Sequence, residues 1–299
     1  MNSRVQIRML ADGRRLHMHD GPIDLVLEAF GPASEIEAAY RAATKRFVTV
    51  LSELCSELAF LRQPTHVDGP LPRGPIARKM VAAVTPYASE TFITPMAAVA
   101  GAVAEEILQA MTTTAELSRA YVNDGGDIAL HLSPGEKFVV GMVERPDRPS
   151  LFGTTTLNSC QPVRGIATSG WRGRSFSLGI ADAVTVLADT AAMADAAATI
   201  IANAVDLPGH ASITRVPACE LAPDSDLGPR LVTQLVGELS LGEVYDALSA
   251  GVRAAESLRV AGLVRAAALN LQGQTRLVGA ENAVIPVAIS AHDRSLVHA

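Results

Sequence analysis

Residues 120–132 have the sequence AYVNDGGDIALHL, in which two apolar segments flank a polar turn with paired glycines. Short apolar segments bounded by Asn, Asp and Gly predict two β-strands. Gly125 and Gly126 permit positive φ and close backbone approach, so the turn can present amide groups to a polar or anionic ligand. A tight turn in which Asp127 bonds to the local backbone is the alternative.

Secondary-structure signals extend upstream from this turn. Asp12-Gly13 lies between two alternating segments and predicts that the chain opens with a β-hairpin. Residues 34–61 carry apolar side chains at spacings of three and four, which predicts one long amphipathic helix. Ser34 and Glu37 have the spacing of a capping box and are expected to start it.

Further helices and strands are predicted along the rest of the chain. Residues 96–111, 190–205 and 241–260 are expected to be helical, and the first of these is rich in small residues that allow close approach. Strands and helices come in runs rather than in strict alternation, which favours an α+β fold. No linker-like stretch is present, so we expect a single domain over residues 1–299, with helices packed on a mixed or antiparallel sheet.

Composition excludes several functional classes. The 299 residues are 48% hydrophobic and 19% charged, with a formal net charge of -6. Such a chain lacks the basic footprint of a nucleic-acid-binding protein. Three cysteines without a C-x-x-C spacing predict neither a disulfide framework nor a zinc site. With no signal peptide and no membrane-length apolar run, we expect a cytoplasmic protein with a small-molecule ligand; a homo-oligomer stays open.

A second segment, 166–175, has the sequence IATSGWRGRS and combines hydroxyls, glycines and arginines. Flexible backbone donors together with guanidinium groups are what phosphate binding requires. In the alternative, Arg172 and Arg174 lie in a solvent loop and pair with surface acids. Composition does not separate these two interpretations.

The third segment is a helix that is apolar except for a polar stripe. Asp195, Thr199 and Asn203 are four residues apart and therefore share one face. A carboxylate in apolar surroundings needs a partner, and carboxylate and hydroxyl oxygens can supply part of a hard-cation site. Pairing of Asp195 with an arginine or a neighbouring loop is the alternative.

Isolated polar residues give weaker signals. Cys160 is interpreted as a buried, inert thiol because no histidine lies nearby in the sequence. His17 and His19 share one face of a predicted strand, and we expect surface positions on the hairpin rather than a metal site.

Together and in order, residues 123–128 (NDGGDI), 167–170 (ATSG) and 194–199 (ADAAAT) resemble the ApbE-like superfamily of flavin transferases. The resemblance covers roughly residues 91–206. It implies a fold that holds a flavin, FAD or FMN, with Mg²⁺ beside its phosphates, and it implies Asp195 and Thr199 as metal ligands. It also implies that Gly125, Gly126, Thr168 and Ser169 lie around the ligand. Together with Asn123, Asp127, Gly170, Arg172 and Arg174 of the same two segments, these are the predicted cofactor-binding residues.

This sequence departs from the transferases where their chemistry is expected. A longer insert with a catalytic-type histidine follows the ATSG element in the transferases, whereas only residues 171–178 precede Gly179 here. The chain therefore resembles a shortened branch, and no catalytic residue is assigned. We expect it to bind flavin or another phosphate-bearing or anionic small molecule and to act on it. The alternatives are a non-catalytic flavin-binding module and an assembly partner that has lost the pocket.

Overall fold

The computed structural model describes residues 4–143, 151–279 and 297–298. Over these residues the chain is α+β, with antiparallel sheets and packed helices, as expected. Its helices are α1 (Ala33–Ser56), α2 (Leu58–Leu61), α3 (Pro75–Val84), α4 (Val99–Thr114), α5 (Ala191–Ala204), α6 (Ala218–Leu221) and α7 (Leu241–Val260). In the described chain, none of these is both long and apolar enough to cross a lipid bilayer.

The strands of the described residues come in groups rather than in strict alternation with the helices. They are β1 (Gln6–Met9), β2 (Leu16–Asp20), β3 (Ile23–Phe30), β4 (Arg119–Asp124), β5 (Asp127–Leu132), β6 (Lys137–Val143), β7 (Leu151–Asn158), β8 (Gly165–Ser169), β9 (Ala183–Ala188), β10 (Ile213–Pro217), β11 (Leu231–Val236), β12 (Ala266–Leu271), β13 (Gln274–Val278) and β14 (Val297–His298).

Two compact units make up the chain, and each is assembled from separate stretches of sequence. Unit 1 consists of Met1–Phe138, Leu157–Ile166 and Asp189–Ala194. Unit 2 consists of Val139–Thr156, Ala167–Ala188 and Asp195–Ala299. The single domain expected over residues 1–299 stays a prediction.

Unit 1 is built on an antiparallel meander in which β1, β2, β3, β4 and β5 are neighbours in chain order. The opening hairpin forms as predicted, with Gly13 at φ 68° in its turn. Buried and half-buried positions alternate along β2, which directs one face of the sheet to the core. β5 continues the sheet by pairing with the start of β8, where Ile128 lies opposite Ile166.

The first helix starts and ends differently from the prediction. α1 buries the expected apolar stripe against β2, β3 and α4. Its N-cap position is Pro32, and no side chain caps it, so the capping box expected at Ser34 and Glu37 is wrong. The helix also stops at Ser56 instead of continuing to residue 61, because Glu57 leaves helical geometry at φ -114°.

Small residues bring α4 close to the start of α5, as the sequence predicts. A Cβ on Gly101 would lie 2.3 Å from the carbonyl oxygen of Ala191, and one on Gly165 would lie 2.0 Å from that of Thr190. Glu105 of α4 accepts a hydrogen bond of 2.7 Å from an amide in the first turn of α5. Glycine is therefore required at both positions by backbone contact.

Unit 2 contains the antiparallel strands β9, β12 and β13, and β9 is buried along its whole length. α7 has the predicted bounds and begins with a capping box between Ser240 and Glu243. The β10–β11 pair was not predicted from the sequence. A register shift between Thr214 and Arg215 interrupts it, and its mixed exposure hides the alternation by which strands are found.

Candidate functional site

The paired glycines of unit 1 form the two-residue turn between β4 and β5, with Asp124 opposite Asp127. Gly125 and Gly126 have φ values of 65° and 116°, so each needs the freedom of glycine. The side-chain oxygen of Asn123 accepts a hydrogen bond of 2.8 Å from the amide of Gly126. The Asn123 side chain therefore bonds across the turn, and the Gly126 amide is already engaged.

The ATSG segment of unit 2 begins in β8 and turns after Gly170. A Cβ on Gly170 would lie 2.6 Å from the carbonyl oxygen of Asp182, so only glycine fits. The amide of Trp171 donates to the carbonyl oxygen of Ala181, and the amide of Gly173 donates to that of Gly170. These two backbone donors are therefore engaged within the turn itself.

Hydroxyl groups at the end of β8 differ in what they contact. Thr168 and Thr185 share a hydrogen bond of 2.9 Å between their hydroxyl oxygens. Ser169 is half-buried, and its hydroxyl makes no hydrogen bond with the residues that the structure describes. Ser169 is therefore the available hydroxyl donor of this segment.

Asp182 holds the arginine of this turn and was not identified from the sequence. Its Oδ1 accepts hydrogen bonds from Arg172 Nε at 2.6 Å and from Trp171 Nε1 at 3.2 Å. Its Oδ2 accepts the backbone amide of Gln272 at 2.6 Å. The carboxylate is almost fully buried, with 6% of its side chain exposed. A lone acid in an apolar run, as in LGIADAVTVLA at 178–188, is the signal that indicates such a paired carboxylate.

The two arginines of the turn have different environments. The guanidinium carbon of Arg172 lies 4.2 Å from the centroid of the Trp171 ring, a cation–π arrangement that orients the group. Its Nε is bound to Asp182, whereas its two terminal amino groups make no hydrogen bond within the described part of the chain. Arg174 is exposed. The alternative of arginines paired with surface acids therefore does not describe Arg172, whose acid is buried.

The polar stripe of α5 falls in unit 2, and its three residues differ in their contacts. Asn203 accepts hydrogen bonds from the amide of Leu178 at 2.9 Å and from the hydroxyl of Ser177 at 3.3 Å, so it anchors the chain after the arginine turn. Asp195 and Thr199 are half-buried one helical turn apart, and Asp195 makes a polar interaction. Among the described residues, no three His, Cys, Asp or Glu side chains converge as a metal site.

The predicted site residues are thus divided between the units. Unit 1 holds Asn123, Gly125, Gly126 and Asp127; unit 2 holds Thr168, Ser169, Gly170, Arg172, Arg174, Asp195 and Thr199. Within unit 2, the structure adds Asp182, Trp171 and Gln272 around Arg172.

The predictions for Cys160 and His17 have different outcomes. Cys160 is exposed, so the buried thiol is wrong. His17 lies on the hairpin as expected, with Nε2 2.6 Å from an Asp24 carboxylate oxygen, and Arg8 donates to its other ring nitrogen at 3.3 Å. This arrangement binds the two strands of the hairpin to each other.

Unit 1 also has an open groove of about 370 Å³ beside α4 and β5. Its charged side chains are already bonded. Lys79 donates to Glu106 at 2.7 Å, and Arg164 donates to the carbonyl oxygen of Ser159 at 2.9 Å. Such pairing stabilises the walls and leaves little for a charged ligand.

Comparison with known proteins places the chain in a family. The model of the family described as AbpE bacteria matches residues 7–277. A UPF0280 protein of Methanopyrus kandleri is 40% identical over 129 residues, which cover 43% of this chain and 48% of that protein. A UPF0280 protein of Methanosarcina acetivorans is 30% identical over 184 residues, covering 61% and 70%. The chain spans about half the length of several curated relatives that it matches.

The chain aligns over nearly its whole length with the solved structure of another protein, at low sequence identity. The apo form of flavinyl transferase ApbE from Pseudomonas stutzeri has a TM-score of 0.40 and 11% identity, over 93% of this chain and 95% of that one. This chain belongs to the AbpE bacteria family, within the ApbE-like superfamily.

Proposed function

We propose that this chain binds a phosphate-bearing small molecule, with a flavin nucleotide as the first candidate, through the turn at residues 168–174. The fixed guanidinium of Arg172 carries the proposal. Its Nε is bound to Asp182 and its guanidinium carbon lies 4.2 Å from the centroid of the Trp171 ring, so its two terminal amino groups are presented without further ordering. A planar fork of two amino groups matches two oxygens of a phosphate.

Two neighbouring side chains would complete the recognition. The half-buried hydroxyl of Ser169 has no hydrogen-bond partner among the described residues, and Arg174, four residues after Gly170, is exposed. Because the carboxylate of Asp182 already neutralises the positive charge of Arg172, the charge of Arg174 supplies the net attraction for a dianion. Arg172 would therefore set geometry and Arg174 would set charge.

Asp195 and Thr199 would hold a magnesium ion if one accompanies the ligand. Both are hard oxygen donors on one face of α5, and both are half-buried beside fully buried alanines. Two protein ligands suit Mg²⁺, which keeps several waters and binds phosphate oxygens. A bound ion there supplies charge neutralisation to a diphosphate. The protein's part is to fix the carboxylate.

Calorimetric titration with FAD, FMN and riboflavin tests the turn, since riboflavin lacks the phosphate. We expect FAD and FMN to bind and riboflavin to bind much more weakly. Arg172→Ala should lower the affinity for FAD by about tenfold or more, the value of a charge-assisted hydrogen-bonding pair. Arg276→Ala is the matched control, because Arg276 also lies over an aromatic ring, that of Tyr245, in unit 2. No binding of either nucleotide, or unchanged binding by Arg172→Ala, refutes the proposal.

The magnesium part has its own test. Asp195→Asn keeps the shape and removes the charge, and amide oxygens bind hard cations more weakly than carboxylates. We expect the gain in FAD affinity on adding Mg²⁺ to fall about tenfold while affinity without Mg²⁺ is unchanged. An equal gain in parent and variant excludes Asp195 as a ligand.

The same samples can be used to distinguish catalysis from binding alone. Chromatography of FAD incubated with the protein and Mg²⁺ would show a new product if the chain acts on its ligand. Unchanged FAD with clear binding indicates a non-catalytic module. Absence of FAD binding excludes both of these functions for a flavin.

A further inference from the structure

The hairpin turn between β12 and β13 in unit 2 consists of Gln272 and Gly273. Their φ values of 45° and 77° are both positive, as in the type I′ turn that suits a two-residue hairpin. Asparagine, aspartate and glycine usually occupy the first position of this turn. Among the described residues, Gln272 is the one residue other than glycine with a positive φ. A long side chain in this conformation indicates a role beyond forming the turn.

The side chain of Gln272 binds a second segment of unit 2, which joins β11 to α7. Its Nε2 donates to the carbonyl oxygen of Gly237 at 2.7 Å, and its Oε1 accepts a hydrogen bond from the amide of Leu239 at 3.2 Å. That segment is itself fixed, because Leu239 is buried and the amide of Gly237 donates to the carbonyl oxygen of Ser212 at 2.8 Å. Gln272 therefore holds the hairpin turn against residues 237–239.

The backbone amide of the same residue binds the buried carboxylate beside Arg172. It donates to Asp182 Oδ2 at 2.6 Å, while Asp182 Oδ1 accepts a hydrogen bond from Arg172 Nε at 2.6 Å. Because the two oxygens belong to one planar group, a donor on Oδ2 fixes the direction in which Oδ1 meets Arg172. The carboxylate is almost fully buried, so water has little access to replace the Gln272 amide.

We infer that Gln272 is a positioning residue for the guanidinium of Arg172. Its side chain fixes the hairpin turn, and the fixed turn directs its amide at Asp182. This inference rests on the proposed function of the turn at residues 168–174, in which the fixed fork of Arg172 binds a phosphate group. The role is exerted through Asp182 and requires no contact with the ligand. Without it, the ligand would have to order Arg172 on binding and would bind more weakly.

Gln272→Asn and Gln272→Gly test this inference, because both replacements suit the type I′ turn. Asparagine is one methylene shorter and glycine has no side chain, so both lose the contacts with residues 237–239. We expect each change to lower the affinity for FAD by about three- to tenfold in calorimetric titration, the factor for one net hydrogen bond. Gln274→Asn is the matched control in the same hairpin, where Gln274 accepts a hydrogen bond from the exposed Tyr245. It should leave the affinity unchanged.

A double substitution separates positioning from a general structural effect. Because Gln272 acts through Arg172, Gln272→Asn should change the affinity for FAD by less than about twofold in a protein that already carries Arg172→Ala. If the two losses multiply instead, Gln272 acts independently of Arg172 and the positioning role is wrong.

Solvent exchange of the Arg172 Nε–H proton, measured by NMR, tests the positioning role without any ligand. The parent should protect this proton, because the buried carboxylate of Asp182 accepts it. We expect Gln272→Asn to speed its exchange by about threefold or more and Gln274→Asn to leave it unchanged. Equal exchange rates in all three proteins would overturn the inference.

The outcomes also separate this inference from the proposed function. FAD binding that Arg172→Ala weakens, but that neither change at Gln272 affects, overturns the positioning role and supports the proposed function. A parent protein that does not bind FAD refutes the proposed function, and the exchange rates still decide whether Gln272 positions Arg172.

Discussion

Asp182→Asn is the most informative single substitution in unit 2. Three donors converge on the two carboxylate oxygens, namely Arg172 Nε, Trp171 Nε1 and the amide of Gln272. An asparagine has one acceptor oxygen and one amino group that is itself a donor. If the oxygen keeps Arg172 and Trp171, the amino group faces the N–H of Gln272.

The expected loss follows from that count. One buried donor without a partner costs about 1–3 kcal/mol, and weakening a hydrogen bond to a charged group costs about 1 kcal/mol more. Arg172 retains 23% side-chain exposure, so water recovers part of the second cost. Gln272 has a φ of 45°, which is unusual for a residue with a side chain, and its hydrogen bond to Asp182 is one of the contacts that hold this conformation. We expect the free energy of unfolding to fall by about 3 kcal/mol.

Fluorescence of Trp171 gives a direct assay, since it is the single tryptophan of the chain and bonds to the same carboxylate. Urea unfolding followed at its emission should show a lower midpoint for Asp182→Asn and a changed native spectrum. Glu256→Gln breaks an exposed pair with Arg259, at 44% and 43% side-chain exposure, and should cost less than about 0.5 kcal/mol. An Asp182→Asn protein as stable as that control would refute the reasoning.

Two further predictions concern unit 1. Gly165→Ala places a methyl group 2.0 Å from a backbone carbonyl oxygen and should destabilise the chain by about 3 kcal/mol in urea unfolding; an unchanged midpoint would contradict the close approach. Burial raises the pKa of Glu106, but hydrogen bonds from Lys79 and Arg46 outweigh burial and lower it below 4.5. A carboxylate with a depressed pKa stabilises the fold above its unfolded pKa, and this contribution is lost as pH falls through the folded value. Unfolding midpoints measured from pH 6 to pH 3 should therefore fall less in Glu106→Gln than in the parent, and parallel curves would exclude this role.

Local patterns decided much of the secondary structure. The Asp12-Gly13 hairpin and the helix α7 have the predicted positions, because turn propensity and apolar periodicity act over a few residues. The same reasoning failed at Glu57. Its carboxylate binds amides 16 and 17 residues away, and that contact has no local signature.

The sequence by itself determined the family, the α+β class and the residue types of the candidate site, since three ordered motifs and their spacing are local properties. Only the tertiary structure decided which of those side chains are engaged. Asn123 closes its own turn, Asn203 anchors the chain at Leu178, and Arg172 is held by Asp182. Hydrogen-bond partners distant in sequence are chosen by chain packing, because a buried donor takes the acceptor that folding brings within reach.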